Sequence, residues 1–234
     1  MGRLMTPEIQ TAPINIVSNG VQERNLPREL LWQFYDDLPS AVILKNNGWT
    51  VILSICCENR EMIPYVTGGD LHHKYYFVEA SFKWSLLHSV EHSIDGHKFS
   101  LEMQALHRCP EKDAAFEYLT ISHLFVLTYH LNGKIGNITN NLELIRRPGS
   151  VAELPPFDLF SLMPKFVNGF YSYRGTYDNG QSQIITQWFI NSRIFGISFE
   201  QLQKFAEVCG RNGKAIKQNT RRIRPVGNPS VLYY

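Results

Sequence analysis

Residues 76–107 alternate between apolar and polar side chains twice, and that double alternation constrains the fold more than any other stretch of the chain. In residues 76–84, Tyr76, Val78, Ala80, Phe82 and Trp84 are expected on one face and Phe77, Glu79, Ser81 and Lys83 on the other. Residues 99–107 repeat the pattern, with Phe99, Leu101, Met103 and Ala105 set against Ser100, Glu102, Gln104 and Leu106. A period of two is the mark of a strand with one face in a core and the other towards a polar cavity or solvent. The intervening EHSIDG run over residues 91–96 carries the Asp and Gly that hairpin-like connections favour. Two strands in this arrangement would bring Ser81, Lys83, Glu102 and Gln104 to polar faces able to line one site.

The remaining segments read as further strands with little helix. Residues 30–35 and 49–56 have strand character, and the YLTISHLFVLTY run over residues 118–129 is rich in β-branched and aromatic side chains, as buried strands are. His123 within it is expected to be a core histidine. Residues 65–69 read as a glycine turn without phosphate-loop spacing. A short helix is expected over residues 137–146, with Ile138, Leu142 and Ile145 on one face. A second is expected over residues 198–209, with Phe199, Leu202, Phe205 and Ala206 inward.

Several of these segments resemble the alpha carbonic anhydrases. The family carries a strand of the type FHFHW, a turn of the type SEHT-D-G and a strand of the type ELHLVH. This chain has ASFKW at residues 80–84, VEHSIDG at 90–96 and EMQALH at 102–107. Phe82, Trp84, Glu91, His92, Asp95, Gly96, Glu102 and His107 match the family's scaffold positions. The run QTAPINI at 10–16, NNGW at 46–49, FDLFSLMP at 157–164, YSYRGT at 171–176 and NTR at 219–221 with Arg224 and Pro225 are similar to further family motifs, in the same order. The resemblance implies a mostly β, mixed α+β fold: a central twisted, largely antiparallel sheet with short peripheral helices. It divides the chain into a short N-terminal extension, residues 1–9, and one carbonic anhydrase-like domain, residues 10–234.

The resemblance also locates the chemistry and shows what has changed. The family's three zinc-binding histidines fall on Ser81, Lys83 and Gln104, none of which is a histidine. Its proton-shuttling histidine falls on Trp49, and an indole has no proton to exchange near neutral pH. Asp178 falls at the threonine that orients the zinc-bound hydroxide, and Glu91 at the glutamate behind it. Facing each other, those two carboxylates would repel unless one is protonated or both share a cation. Carbonic anhydrase chemistry depends on a metal that lowers the pKa of bound water to about 7. Serine is a weak ligand, a lysine ammonium repels a cation, and glutamine offers only a neutral carbonyl, so no zinc and no other cofactor is expected. His72 with His73, and His88 with His92, lack a third ligand and are not expected to hold a metal elsewhere.

Two readings of Lys83 follow. It is expected to neutralise Glu79, Glu102 or Asp178 in a polar cavity, because a buried charge needs a partner. The alternative is that its ammonium stands where the metal charge stood and binds a small anion. Altered hydrolytic activity is disfavoured because Ser81 has no histidine beside it on its strand to act as a base.

Charge distribution bears on partners. The formal net charge is +2, which excludes a nucleic-acid-like polycation, yet residues 204–224 hold seven basic side chains and one acid. Arg211, Lys214, Lys217, Arg221, Arg222 and Arg224 are expected to form a solvated basic face, with an acidic partner as the alternative. No run approaches the ~20 apolar residues of a membrane helix. The first fifteen residues lack the apolar core of a secretory signal. Cys56, Cys57, Cys109 and Cys209 show no metal-type spacing. A reduced cytoplasmic chain is therefore expected. The function expected is that of a catalytically inactive, carbonic-anhydrase-related protein that binds a protein partner, with nucleic acid and membrane unlikely ligands.

Overall fold

The computed structural model describes residues 12–86, 91–224 and 231–234. The extension at residues 1–9, the start of the 10–16 motif, His88 and Pro225 lie outside the described residues.

The strands in chain order are β1 (Asn15–Ile16), β2 (Gln22–Glu23), β3 (Leu30–Gln33), β4 (Ala41–Asn46), β5 (Val51–Cys56), β6 (Tyr65–Gly68), β7 (Leu71–Trp84), β8 (Ser93–Ile94), β9 (Leu101–Arg108), β10 (Tyr118–Thr128), β11 (Val151–Leu154), β12 (Phe170–Asp178), β13 (Gln183–Asn191), β14 (Phe195–Ser198) and β15 (Leu232–Tyr233). Among the described residues, three short α-helices lie outside them, α1 (Gly133–Thr139), α2 (Leu159–Leu162) and α3 (Phe199–Ala206), along with short 3₁₀ turns. Among the described residues, the main sheet runs β11-β4-β5-β7-β9-β10-β13-β12-β15-β2, with β14 beside β10 and β6 bridging β3 and β7. Its pairings are largely antiparallel, with β10 parallel to β13 and β14. This is the mostly β architecture expected.

β7 and β9 lie at its centre and form the expected antiparallel pair. Cross-strand partners are Ser81 with Gln104, and Lys83 with Glu102. On its other side Gln104 faces Ser122 of β10. Ala80, Phe82, Trp84, Leu101, Met103 and Ala105 turn the opposite way into the principal core, where Phe205 of α3 packs on Phe82 and Trp84. A second core of Leu106, Leu124, Tyr173, Tyr177 and Trp188 closes over the polar side.

Four local expectations need correction. Tyr76 and Val78 do not share the core face of Ala80, because the register shifts between Phe77 and Glu79. The extra residue is Val78, which is exposed, and Tyr75 and Phe77 are buried instead. One inserted residue in a strand of period two exchanges the faces before and after it. The glycine segment at 65–69 is mostly strand, with Tyr65–Gly68 paired to both β3 and β7. Gly68 has φ 81°, and a Cβ there would lie 2.2 Å from the Glu29 carbonyl oxygen, so close strand approach requires glycine. The helix expected over 137–146 is two pieces, α1 and a single 3₁₀ turn (Leu142–Ile145), separated at Asn140 and Asn141. Its apolar face still buries Ile135, Ile138, Leu142 and Ile145. α3 ends at Ala206, and Phe199 is 55% exposed rather than inward. Phe199 is the first helical residue after the Ser198 cap, where capping geometry rather than helical period sets direction.

Candidate functional site

The site is built on the polar face of β7, β9 and β10. Ser81, Lys83, Glu102, Gln104 and Ser122 are all buried there. Cross-strand partners on one face lie about 5 Å apart at Cβ, so the register draws Ser81, Gln104 and Ser122 into one row with Lys83 and Glu102 in the next.

Glu102 is the most heavily bonded side chain of the group. Its Oε1 accepts from His92 Nδ1 at 2.8 Å, Gln104 Nε2 at 2.9 Å and Ser122 Oγ at 2.8 Å. Its Oε2 accepts from the His92 amide at 3.0 Å. A carboxylate can only accept, so His92 carries its hydrogen on Nδ1, and Nε2 pairs with the Tyr173 hydroxyl at 2.6 Å. Burial pushes the Glu102 carboxyl up, but the His92 ring and these donors outweigh it and hold the group at about 2. Gln104 thus turns its amide nitrogen to Glu102. Among the described residues its Oε1 is buried without a hydrogen-bond partner, as is Ser81 Oγ.

A second buried carboxylate, Glu91, is held by Arg221. The Arg221 amide donates to Oε1 at 2.8 Å, Nε donates to Oε2 at 2.9 Å, and Nη2 lies 2.7 Å from Oε2. Burial lowers the affinity of Arg221 for its proton, but the fields of Glu91 and then Asp178 raise it overall. Of the two acids whose repulsion was anticipated, Glu91 is therefore paired with Arg221, and Asp178 feels the same cation only through its field. Asp178 also accepts from the Gly180 amide at 2.7 Å. Glu79 accepts from Tyr177 Oη at 2.9 Å and Asn179 Nδ2 at 2.8 Å.

Lys83 departs from expectation. It is 4% exposed, yet among the described residues no acid lies within ion-pair distance of its ammonium. Glu79, Glu91 and Glu102 already have the partners named above, so Lys83 neutralises none of them by contact. Burial lowers its pKa, only partly countered by the field of Glu91, opposed by Arg221, and aided by Asp178 and Glu102. Lys83→Met should consequently raise stability by about 1–2 kcal/mol at neutral pH, since it removes a desolvated charge that lacks contact partners. The sign with pH follows from linkage. The unfolded chain binds the Lys83 proton more tightly than the folded one, so wild-type stability gains as pH rises from the folded pKa towards 10.5. The advantage of the variant should be full below the folded pKa of Lys83 and should shrink as pH rises from there towards 10.5. Urea unfolding from pH 6 to 10 measures it; a destabilised variant, or an advantage that grows in alkali, would contradict this account.

Beside Gly180, Trp49 follows a turn fixed by asparagine side chains. Asn46 Oδ1 accepts from the Gly48 amide, and Asn47 Oδ1 accepts from the Trp49 and Thr50 amides. Gly180 packs against the indole so closely that a Cβ there would lie 2.4 Å from Trp49 Cβ. Arg211 lays its guanidinium 3.5 Å from the ring centroid.

The basic face is therefore divided. Lys214, Lys217, Arg222 and Arg224 are exposed as expected; Arg211 stacks on Trp49, and Arg221 turns inward to Glu91. Sequence reasoning placed Arg221 in that face although its NTR motif pointed to the scaffold. It also missed Ser122, Tyr177 and Asn179 as partners of the acids, and Tyr173 as the partner of His92. The period of β10 could have shown Ser122 on the face of Gln104.

The donor set does not fit zinc. A neutral hydroxyl, an ammonium and an amide oxygen replace anionic or imidazole ligands, and among the described residues no group of three His, Cys, Asp or Glu side chains is placed to hold a metal ion. His72 and His73 lie on β7, away from His92.

A family model described as eukaryotic-type carbonic anhydrase matches residues 8–234. Similar proteins include receptor-type tyrosine-protein phosphatase zeta of Homo sapiens, 27% identical over 84% of this chain but only 9% of that protein. Carbonic anhydrase 7 of Homo sapiens is 26% identical over 93% of this chain and 82% of its own length. Carbonic anhydrase 1 of Monodelphis domestica is 25% identical over 74% of this chain and 71% of its own. The chain thus spans about a tenth of the length of the phosphatase.

Proposed function

This chain belongs to the eukaryotic-type carbonic anhydrase family, and we propose that it is a catalytically inactive member, acting as a binding module for a protein partner. The observation that carries the proposal is the buried trio Ser81, Lys83 and Gln104 at the positions the family uses for zinc. Hydration needs a metal to generate hydroxide at neutral pH. Here an ammonium occupies the centre, Trp49 stands where protons would leave, and Asp178 stands where the hydroxide would be oriented. What survives is scaffolding: Glu102, His92, Tyr173, Glu91 and Arg221 stiffen the sheet face without a metal to support. Free thiols at Cys56, Cys57, Cys109 and Cys209 favour a reducing, cytoplasmic setting. Among the described residues no helix is long and apolar enough to cross a membrane.

Restoring Ser81→His, Lys83→His and Gln104→His together tests this reading. The triple variant should take up one zinc per chain while hydrating CO2 only feebly, because Trp49 and Asp178 remain. Hydration near that of an ordinary family member would show that those two positions matter less than proposed. One tightly bound zinc in the unmodified protein would overturn the proposal itself.

A second reading has its own observation. Among the described residues Ser81 Oγ and Gln104 Oε1 are buried without partners, one row from Lys83, whose ammonium makes no ion pair, which favours a small polar guest, an anion included. Nitrate or formate raising the melting temperature of the wild type but not of Lys83→Met would support it; equal shifts in both would dismiss it. Ester hydrolysis gains no such support, since no base contacts Ser81 Oγ.

A further inference from the structure

β11 is the outermost strand at one end of the main sheet, and among the described residues it pairs only with β4. The Asn46 amide donates to the Ser150 carbonyl at 3.0 Å just before the ladder begins. Bonded and non-bonded pairs alternate along an antiparallel ladder. The bonded pairs that follow are then Leu44 with Ala152 and Val42 with Leu154. The N–H and C=O groups of Val151 and Glu153 consequently point away from β4, to a side where no strand lies among the described residues.

What borders this edge is basic and partly apolar. A cavity of about 810 Å³ is lined by Arg146, Arg147, Glu143, Leu144 and Ser150, together with Cys209 and Gly213. Lys45, directly across from Val151, and Lys214, next to Gly213, add two more exposed cations. Three acids are near: Glu153 on the strand, Glu143 in the cavity lining, which lies 3.5 Å from Arg146, and Glu207, which lines a neighbouring pocket with Arg146. Leu144 and Val151 are 60% and 58% exposed.

Unused strand hydrogen bonds, an arginine-lined cavity at the strand's start and two exposed apolar side chains suit one kind of occupant. We propose that the β11 edge and the Arg146–Arg147 cavity dock an extended, acidic segment of a partner protein, which adds a strand outside β11 and sets its carboxylates against the two arginines. Main-chain bonds would supply affinity and the arginines would supply selection for acidic side chains. The inference rests on the reading of this domain as a binding module and gives that reading a surface.

The probe is a labelled octapeptide of alternating Glu and Val, capped at both ends, titrated by fluorescence anisotropy at low ionic strength. Three comparisons accompany it: the same peptide N-methylated at alternate residues, its Lys-Val counterpart and a heparin octasaccharide. Binding of the acidic peptide is expected, weakened at least about tenfold by N-methylation and by Arg146→Glu with Arg147→Glu. The Lys-Val peptide should not bind. Both arginines are exposed, so the variant should fold, which circular dichroism checks. No binding of the acidic peptide, or equal binding of its N-methylated form, would overturn strand addition. Heparin bound more tightly than the peptide and lost in the same variant would reassign the surface to polyanionic glycans and also overturn the proposal. Zinc content and hydration do not involve this edge, so failure here leaves the inactive-domain reading standing, and a zinc-loaded, active wild type would sink that reading whatever the peptide does.

Discussion

Glu102→Ala is expected to cost about 3–5 kcal/mol of folding stability at neutral pH, among the largest effects of any single substitution in this protein. The loss arises because four donors converge on that one carboxylate: His92 Nδ1, the His92 amide, Gln104 Nε2 and Ser122 Oγ. Truncation leaves all four buried with no acceptor. The effect has a pH signature. Glu102 sits at about 2 in the folded protein against 4.5 for the ordinary group. A lowered folded pKa gives stability that is complete above the unfolded value and is lost as pH falls through the folded one. That titration is worth roughly 3 kcal/mol and should vanish between about pH 4.5 and 2. Wild type and variant should converge over that range in urea titrations. A gap that stays constant down to pH 2 would mean that Glu102 contributes by packing rather than by charge.

Arg221→Met should cost a similar amount, about 3–5 kcal/mol, by stranding the fully buried Glu91. Among the described residues, only the Arg221 amide would still bond that carboxylate. The double variant Glu91→Leu with Arg221→Met should recover most of the loss, because removing both ions of a buried pair is often near neutral. Thermal unfolding of the two single variants and the double variant gives the coupling directly. Additive losses in the double variant would mean that Arg221 and Glu91 act separately, and that the acid has support elsewhere.

What could be read in advance and what could not divides along the range of the interactions. The central pair β7 and β9 was legible because a period of two is local and one face is buried. The Val78 bulge was not, since one inserted residue leaves the composition of the strand unchanged while exchanging its faces. α1 and the following 3₁₀ turn keep the apolar spacing of one helix, so the break at Asn140 and Asn141 was hidden by the very pattern that revealed the helix. The meeting of Ser81, Lys83, Glu102 and Gln104 on one buried face was legible from the same alternation. Gln104's bond to Glu102 was not, because side-chain direction depends on which acceptor wins. Lys83 shows the same limit: acids were abundant along the chain, but Tyr177, Asn179, Arg221, His92, Gln104 and Ser122 had already taken them. Arg221 stands 130 residues from Glu91, and its neighbours in the chain, Arg222 and Arg224, remain on the surface.

The central claim is that Ser81, Lys83 and Gln104 leave this carbonic anhydrase domain without metal-dependent hydration. Stopped-flow CO2 hydration by the unmodified protein, purified with and without added zinc, tests it most directly when metal content is measured on the same samples. The account predicts proton release at the rate of buffer alone in both preparations, unchanged by a chelator. Zinc-dependent hydration above buffer that a chelator abolishes would contradict it.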